Sequence, residues 1–326
     1  MLSIAIFGAN GFIGAPLSRA IKQAHPDWKV TAYVRSTQAT EFLKSSLQAD
    51  SIIVGDFGEF EKIKAVSKEH DIVVNAGNSF TSEPITAIVA GLKENQSSIK
   101  GKLIHISGAG NFIDFGTSGN FNPDSKVWND DREDDIRLVN KDMFNGQSDT
   151  VVLDAGVEGT IDTYIVCPSV VYGGASYGAA GIGIGYNLIT GNAKPLGYVP
   201  YVGEGSAILS TVHVLDLIDF ILRIADIAAQ GPAQGSAYSR FYMLETARVS
   251  WKQVATELAK IMHTKGIFQS PKPKAVPFEQ AGEGEVKHLV AANMLIKGDR
   301  ASRLGFQPRH PTILTQIHDD LKDAKI

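Results

Sequence analysis

The first apolar run of the chain, Leu2-Ser3-Ile4-Ala5-Ile6-Phe7, passes directly into Gly8-Ala9-Asn10-Gly11-Phe12-Ile13-Gly14. A helical pattern follows at Phe12, Ile13, Leu17, Ala20 and Ile21. Few chains can make a strand, a glycine turn and a helix in that order without committing to a βαβ unit. Glycine permits the tight turn and lets another backbone approach with no Cβ in the way. The helix beyond presents unpaired amide N–H groups and a partial positive charge, which suits a phosphate. The G-x-x-G-x-x-G spacing in this context points to a dinucleotide site built on Gly8, Asn10, Gly11, Phe12, Ile13 and Gly14.

Apolar runs at 28–34, 51–54, 71–75, 102–107 and 163–167 continue the pattern, with helical segments such as 59–68 and 84–95 between most of them. Strands alternating with helices predict an α/β fold, a Rossmann-type doubly wound parallel sheet. The ligand then belongs at the carboxyl ends of the strands. The second half changes character. It has a glycine-rich stretch at 173–185, an apolar helix at 214–229, a helix opened by Ser250, a proline-rich connector at 271–277 and a terminal amphipathic helix at 312–324. Residues 1–170, with the helix at 214–229 packed on them, are expected to form the dinucleotide-binding domain. Residues 171–326 are expected to form a smaller, discontinuous substrate lobe.

Composition narrows the function classes. With 326 residues, 44% of them apolar, the chain can bury a large core. A net charge of −4 and no long basic run give no reason to expect nucleic acid. The single cysteine, Cys167, excludes an intrachain disulfide framework. The N-terminal run reads as a structural strand rather than a charged leader followed by an apolar core. No stretch approaches the roughly 20 apolar residues that span a bilayer. A soluble, cytoplasmic protein with no membrane partner is expected. The 8 histidines show no His-x-x-x-His spacing, so no metal site is expected.

The end of the second strand decides between the two nicotinamide cofactors. An acidic residue about 20 positions beyond the glycine turn binds the ribose hydroxyls of NAD, whereas arginine pairs with the 2′-phosphate of NADP. The chain has Arg35-Ser36-Thr37 there and no carboxylate. A guanidinium makes a bidentate, charge-assisted pair with phosphate, and Ser36 adds a donor. NADP(H) is the expected cofactor. Asp56-Phe57 after the third strand is placed to flank the adenine. Asn75-Ala76-Gly77 after the fourth offers small side chains where the backbone must come close.

With these features in view the chain resembles the extended short-chain dehydrogenase/reductases, the group of nucleotide-sugar epimerases and dehydratases. The likeness lies in Gly8, Gly11 and Gly14, in Asp56, in Pro168-Ser169-Val170-Val171-Tyr172-Gly173, in Val212-His213-Val214-Leu215-Asp216-Leu217 and in Leu304-Gly305-Phe306-Gln307-Pro308. It implies that Pro168 and Val170 also touch the cofactor, and that the chain forms a homodimer. The family's chemistry uses Ser/Thr with a Tyr-x-x-x-Lys pair on one helix face, where lysine lowers the tyrosine pKa for proton transfer. Here none of the 9 tyrosines has lysine four residues on. Counting back from Pro168 in the family's spacing puts Lys141 at the tyrosine position, Asn145 at the lysine position and Gly108, beside Ser107, at the serine position.

This departure leaves Lys141, Tyr172 and Ser107 as candidate proton donors, with Lys141 on an expected helix at 136–145. Ser107 is also a candidate cofactor contact. Tyr172 follows the sixth strand, at the correct end of the sheet, although a buried tyrosine tethered by its hydroxyl is the commoner arrangement. His213 reads as packed and hydrogen-bonded, and the run 130–135 as a solvated helix entry. The pocket residues that can be named, Val170, Val171, Tyr172, Ala179, Ala180 and Ile182, are mostly apolar. No arginine pair for a sugar pyrophosphate is evident, though Arg223, Arg240, Arg248 and Arg300 have no assigned place. The leading expectation is an atypical NADP(H)-dependent oxidoreductase that reduces a small, fairly apolar carbonyl or imine. The alternatives are a non-redox isomerase, cyclase or rearrangement enzyme that retains NADP(H), and a non-catalytic NADP(H)-sensing protein.

Overall fold

The computed structural model describes residues 1–36, 44, 48–97, 99–174, 183–282 and 284–324. Thr37, Ala179, Ala180 and Ile182 therefore lie outside the described residues. In chain order the strands that organise the fold are β1 (Ser3–Phe7), β2 (Lys29–Val34), β3 (Ser51–Val54), β4 (Ile72–Asn75), β5 (Lys102–Ile106), β6 (Asp162–Pro168), β7 (Val170–Tyr172), β8 (Ile208–His213), β9 (Phe241–Leu244) and β10 (Ala247–Ser250). The principal helices are α1 (Gly14–Ala24), α2 (Phe60–Lys68), α3 (Glu83–Lys93), α4 (Gly146–Glu158), α5 (Val214–Gln230), α6 (Trp251–Thr264) and α7 (Ile313–Asp320).

Seven strands form one sheet in the order β9-β6-β5-β4-β1-β2-β3. Every neighbouring pair in it is parallel. The strand order reverses at β1, which lies between β2 and β4, so the crevice for a ligand opens beyond the ends of β1 and β4. Alternation along each strand sorts the core onto two faces. Ile4, Ile6, Ile72, Val74, Ile104 and Val166 pack with Leu17 and Ile21 of α1 and with Leu217 and Ile221 of α5. Ala5, Phe7, Val73, Leu103, Ile165 and Cys167 pack with Ile63 of α2, Ile85 and Ile88 of α3, and Val152 of α4. Six of the seven strands are legible in the sequence. The seventh, β9, comes from the second half and closes the sheet beside β6.

A second, five-stranded sheet is built around β8, with β7 parallel and β10 antiparallel to it. Only Ser169 separates β6 from β7, so the chain passes from one sheet to the other in a single residue. Ser169 is anchored there, its N–H and its Oγ both donating to the Leu244 carbonyl at 3.0 and 2.9 Å. Ser250 caps α6 as its sequence context suggests, in a reciprocal box with Gln253. The acidic run departs from expectation. Asp130 is completely buried, and its carboxylate accepts N–H bonds from Met243, Arg300 and Ala301 at 3.1, 2.7 and 3.1 Å. Burial pushes that carboxyl up to about 6, against the pull of the three N–H donors. Among the described residues no helix is long and apolar enough to cross a membrane.

Candidate active site

A cleft of about 800 Å3 runs along the carboxyl ends of the central strands. One end is made of backbone and glycine. Gly8 has φ +78, and a Cβ on it would lie 2.7 Å from Gly77 Cα and 2.9 Å from the Ala76 carbonyl. A Cβ on Gly14 would lie 2.1 Å from the Gly8 carbonyl, and one on Gly77 would lie 2.1 Å from the Phe57 ring. The three glycines thus let the turn after β1, the start of α1 and the turn after β4 close on one another. No side chain caps α1 and its first turn holds no acidic residue, so its positive end is left for an anion. The cradle and that helix end fit a dinucleotide pyrophosphate.

Gly8, Asn10, Gly11, Phe12, Ile13, Arg35, Asp56, Phe57, Ala76 and Gly77 line this end. Arg35 is exposed at its rim. Tyr33, which the sequence reading passed over, also lines it and donates from its hydroxyl to the Asp56 carbonyl at 2.9 Å. Burial, with Glu59 and Asp56 adding, pushes its phenol up to about 12. Three expected cofactor contacts are not among the lining residues. Gly14 acts behind the turn through its missing side chain, Ser36 is exposed beyond Arg35, and Asn75 is buried beneath the β4 turn.

The other end is walled by Phe80, Phe144, Val170, Val171, Leu289 and Met294, with Pro168 and Ser169 at its side. Ser107 lines it, together with Gly108, Ala109, Gly110 and Asn145. Ser107 Oγ donates to Asp149 Oδ2 at 2.6 Å, and Asn111 Nδ2 donates to the same oxygen at 2.7 Å. His105 Nε2 stands 3.3 Å from Asp149 Oδ1, with both side chains completely buried. Asn145 Nδ2 donates to Ser79 Oγ at 2.8 Å. Cys167 is buried next to this group, and burial pushes its thiol well up, so it is an uncharged neighbour and not a thiolate.

Two of the three expected proton donors are elsewhere. The helix expected at 136–145 does not form. A short turn of helix, Glu133–Ile136, ends and Asn140 takes over the backbone, its Oδ1 accepting from Asp142 N at 3.0 Å and its Nδ2 donating to the Leu138 carbonyl at 3.1 Å. The next helix, α4, can begin only at Gly146, where a Cβ would fall 1.8 Å from the Asn140 carbonyl. Lys141 is left exposed on these turns, away from the cleft lining. Tyr172 is buried; its hydroxyl donates to the Pro311 carbonyl at 2.8 Å, and burial raises its phenol far above the ordinary range. It ties α7's approach to β7. Asp149, His105 and Asn111 were missed. The signals were an aspartate on the face of α4 that carries Val152 and Leu153, and a histidine in step with Leu103 on β5.

The fold also gathers His213, Asp216 and His310, whose ligand-type atoms lie within 4.8 Å of one another. Their sequence spacing gave no hint of this. The two imidazoles stack with centroids 4.2 Å apart and planes 9° apart, so a cation in the plane of one lies off the plane of the other. His213 instead caps α5 by accepting from Leu215 N at 3.2 Å, and His310 Nδ1 bonds Asp216 Oδ1 at 2.8 Å. Burial, with the neighbouring His310 adding, lowers His213 to about 4, against the attraction of Asp216. None of the four arginines left unassigned lines the cleft. Arg240 and Arg300 bond backbone carbonyls, Arg248 pairs with Glu245, and Arg223 packs against Gly305.

Comparison with known proteins agrees with this geometry. Residues 8–129 match the family model described as NAD(P)H-binding. The chain is 23% identical over 330 residues to "Oxidase ucsJ" from an Acremonium species, covering 95% of this chain and 94% of that protein. Among solved structures it resembles dTDP-glucose 4,6-dehydratase from Bacillus anthracis in complex with NAD, at 14% identity and a TM-score of 0.67, over 99% of this chain and 96% of that one. It also resembles UDP-glucuronic acid 4-epimerase from Bacillus cereus in complex with UDP-glucuronic acid and NAD, at 14% identity and a TM-score of 0.68, over 98% of this chain and 99% of that one. Residues 8–129 thus carry a nicotinamide-dinucleotide-binding domain, and the chain as a whole has the fold of the extended short-chain dehydrogenase/reductases.

Proposed function

We propose that the protein is an NADP(H)-dependent oxidoreductase acting on a small, fairly apolar carbonyl or imine compound and its reduced partner. The observation that carries this reading is the make-up of the second end of the cleft: the buried Ser107 hydroxyl, backed by Asp149, among apolar walls, with the Ser169 hydroxyl spent on the Leu244 carbonyl and the Asn145 amide on Ser79. A bound nicotinamide supplies a hydride donor or acceptor. Ser107 would bind the substrate oxygen or nitrogen and handle its proton. Phe144, Val171, Leu289 and Met294 would exclude water around it. Arg35 supports the phosphorylated cofactor, because no carboxylate stands at the end of β2 to take the ribose hydroxyls. Among the described residues Arg35 is the only arginine or lysine in the cleft lining, and it stands at the adenosine end. No described cation at the other end pairs with a sugar pyrophosphate, which argues against a substrate like the UDP-glucuronic acid held by the epimerase structure. The Acremonium relative's name, an oxidase, supports a redox role.

The test is hydride transfer. Purified protein is given NADPH deuterated at the transferable position, with a panel of small ketones, aldehydes, enones and cyclic imines, and products are examined by mass spectrometry. Deuterium on a product carbon is expected. Turnover with no label in product and no fall in NADPH absorbance would turn the reading to a rearrangement enzyme. NADPH binding with neither would turn it to a sensor.

A further inference from the structure

We infer that Ser107 and Asp149, with the His105 ring packed behind them, form a proton-accepting relay, which makes the apolar end of the cleft prefer a ligand bearing O–H or N–H over the matching carbonyl or imine. The inference rests on the apolar substrate site proposed above and adds which redox partner that site is built to hold.

Strand β5 alternates so that Leu103, His105 and Ser107 share the face covered by α4. Asp149 enters from the first turn of α4 and is completely buried. Its Oδ2 is committed to two donors, Ser107 Oγ at 2.6 Å and Asn111 Nδ2 at 2.7 Å. Its Oδ1 makes no hydrogen bond among the described residues and faces His105 Nε2 at 3.3 Å. The imidazole's proton is assigned by the groups behind it. Asn75 Nδ2 donates to the Asn78 carbonyl at 2.7 Å and stands 3.0 Å from His105 Nδ1, while Asn75 Oδ1 accepts from Gly77 N at 3.3 Å. His105 Nδ1 is therefore an acceptor and the proton sits on Nε2, whose hydrogen bond runs to Ser148 Oγ at 3.1 Å, while Asp149 Oδ1 faces the ring without a hydrogen bond.

The polarity of this chain of bonds has a consequence for the ligand. A serine hydroxyl has one proton, and the proton of Ser107 is already given to Asp149. Ser107 lines the cleft beside the buried Cys167 thiol, and with its proton committed its hydroxyl can offer a ligand there only acceptor capacity. A ligand O–H satisfies it, whereas a carbonyl oxygen meets another acceptor and leaves a buried polar group unpaired. The ligand O–H bond breaks with its electron pair left on the ligand oxygen. The proton joins Ser107 Oγ as the Ser107 proton passes to Asp149 Oδ2. One proton has moved from ligand to carboxylate, and the ligand oxygen has gained the electron density that helps a carbon release hydride. Ser107 is the catalytic residue in this account. Asp149 and His105 act through it, and Asn75 holds the imidazole.

The test uses binding, so it does not depend on turnover. Full-length protein is loaded with redox-inert tetrahydro-NADP and titrated by calorimetry with three probes of one skeleton: α-tetralol, α-tetralone and tetralin. The wild-type protein is expected to bind the alcohol about tenfold or more tightly than the ketone. Asp149→Ala is expected to bring the two within about threefold while tetralin affinity holds, because Ser107 then loses its acceptor and its proton is free to turn toward the cleft. Ser107→Ala, which leaves Asp149 with Asn111 and His105, should erase the preference as well, and Ser107→Thr should restore it. Equal binding of alcohol and ketone by the wild type, or a preference that survives Ser107→Ala, overturns the relay alone. Failure of all three probes to bind overturns the apolar site and the relay with it.

Discussion

The two ends of one cleft are built by different means. At the cofactor end, backbone meets backbone, and the residues that matter are those without side chains: Gly8, Gly14 and Gly77. At the other end the residues that matter are side chains from separate elements. His105 and Ser107 come from and just beyond β5, Asp149 from α4, Asn111 from the turn that follows β5, and Asn75 from β4. A glycine cradle tolerates no added atom. A side-chain network tolerates change in one member if the bond pattern is kept. The contrast teaches that the cofactor end depends on backbone that approaches closely, while the proton handling proposed above depends on where the folded chain places distant polar side chains.

The sharpest way to break this contrast is to add one methyl group at each end. Gly14→Ala forces a Cβ toward the Gly8 carbonyl and should weaken NADPH binding on the order of a hundredfold, read by calorimetry. Gly110→Ala at the other end meets only side-chain atoms, Phe144 Cβ at 3.2 Å and Asn145 Oδ1 at 3.3 Å, and should leave cofactor affinity within about threefold. Comparable losses from both would refute the division.

A smaller effect sharpens the cofactor end. Arg35→Ala should weaken NADPH about tenfold and NADH by no more than about threefold, measured by fluorescence titration. Equal losses would remove the 2′-phosphate from its assigned partner.

The support beneath the cleft has its own pH signature. His213 is lowered from 6.5 to about 4, so the folded state favours the neutral ring. A ring that must stay neutral costs stability once the unfolded chain can protonate it. The melting temperature should therefore fall as pH drops from about 6.5 toward about 4, and His213→Gln should flatten that part of the profile. A profile unchanged by the substitution would assign the acid sensitivity to other groups.

The smallest effects are expected where the sequence pointed and the fold did not follow. Lys141→Ala should leave turnover and cofactor affinity within about twofold, since the side chain is exposed away from the cleft. Tyr172→Phe should cost about 1 kcal/mol of stability by freeing the Pro311 carbonyl, with little change in kcat. A large loss of kcat with unaltered stability in either variant would bring that residue back into the chemistry.

Much of the fold was legible because its signals are short-range. The spacing of Gly8, Gly11 and Gly14, the short apolar runs of β1 to β6 and the serine before α6 are each legible within a few residues. β9 was missed because its place at the sheet edge beside β6 depends on a long connection. Lys141 was misplaced because Asn140 and Gly146 hold turns where apolar spacing alone suggests a helix.

By itself, then, the amino-acid order pointed to a parallel sheet, a glycine turn at the end of its first strand and an arginine at the end of its second. The signals for those features lie among neighbours along the chain, although the cradle closes only when the turn after β4 meets Gly8. Tertiary structure alone decided that Asp149 would meet Ser107 and His105, that Tyr172 would tether Pro311, and that four arginines would stand outside the cleft. Such contacts join residues tens of positions apart, and their strength comes from burial, which no stretch of sequence carries until the rest of the chain has closed over it.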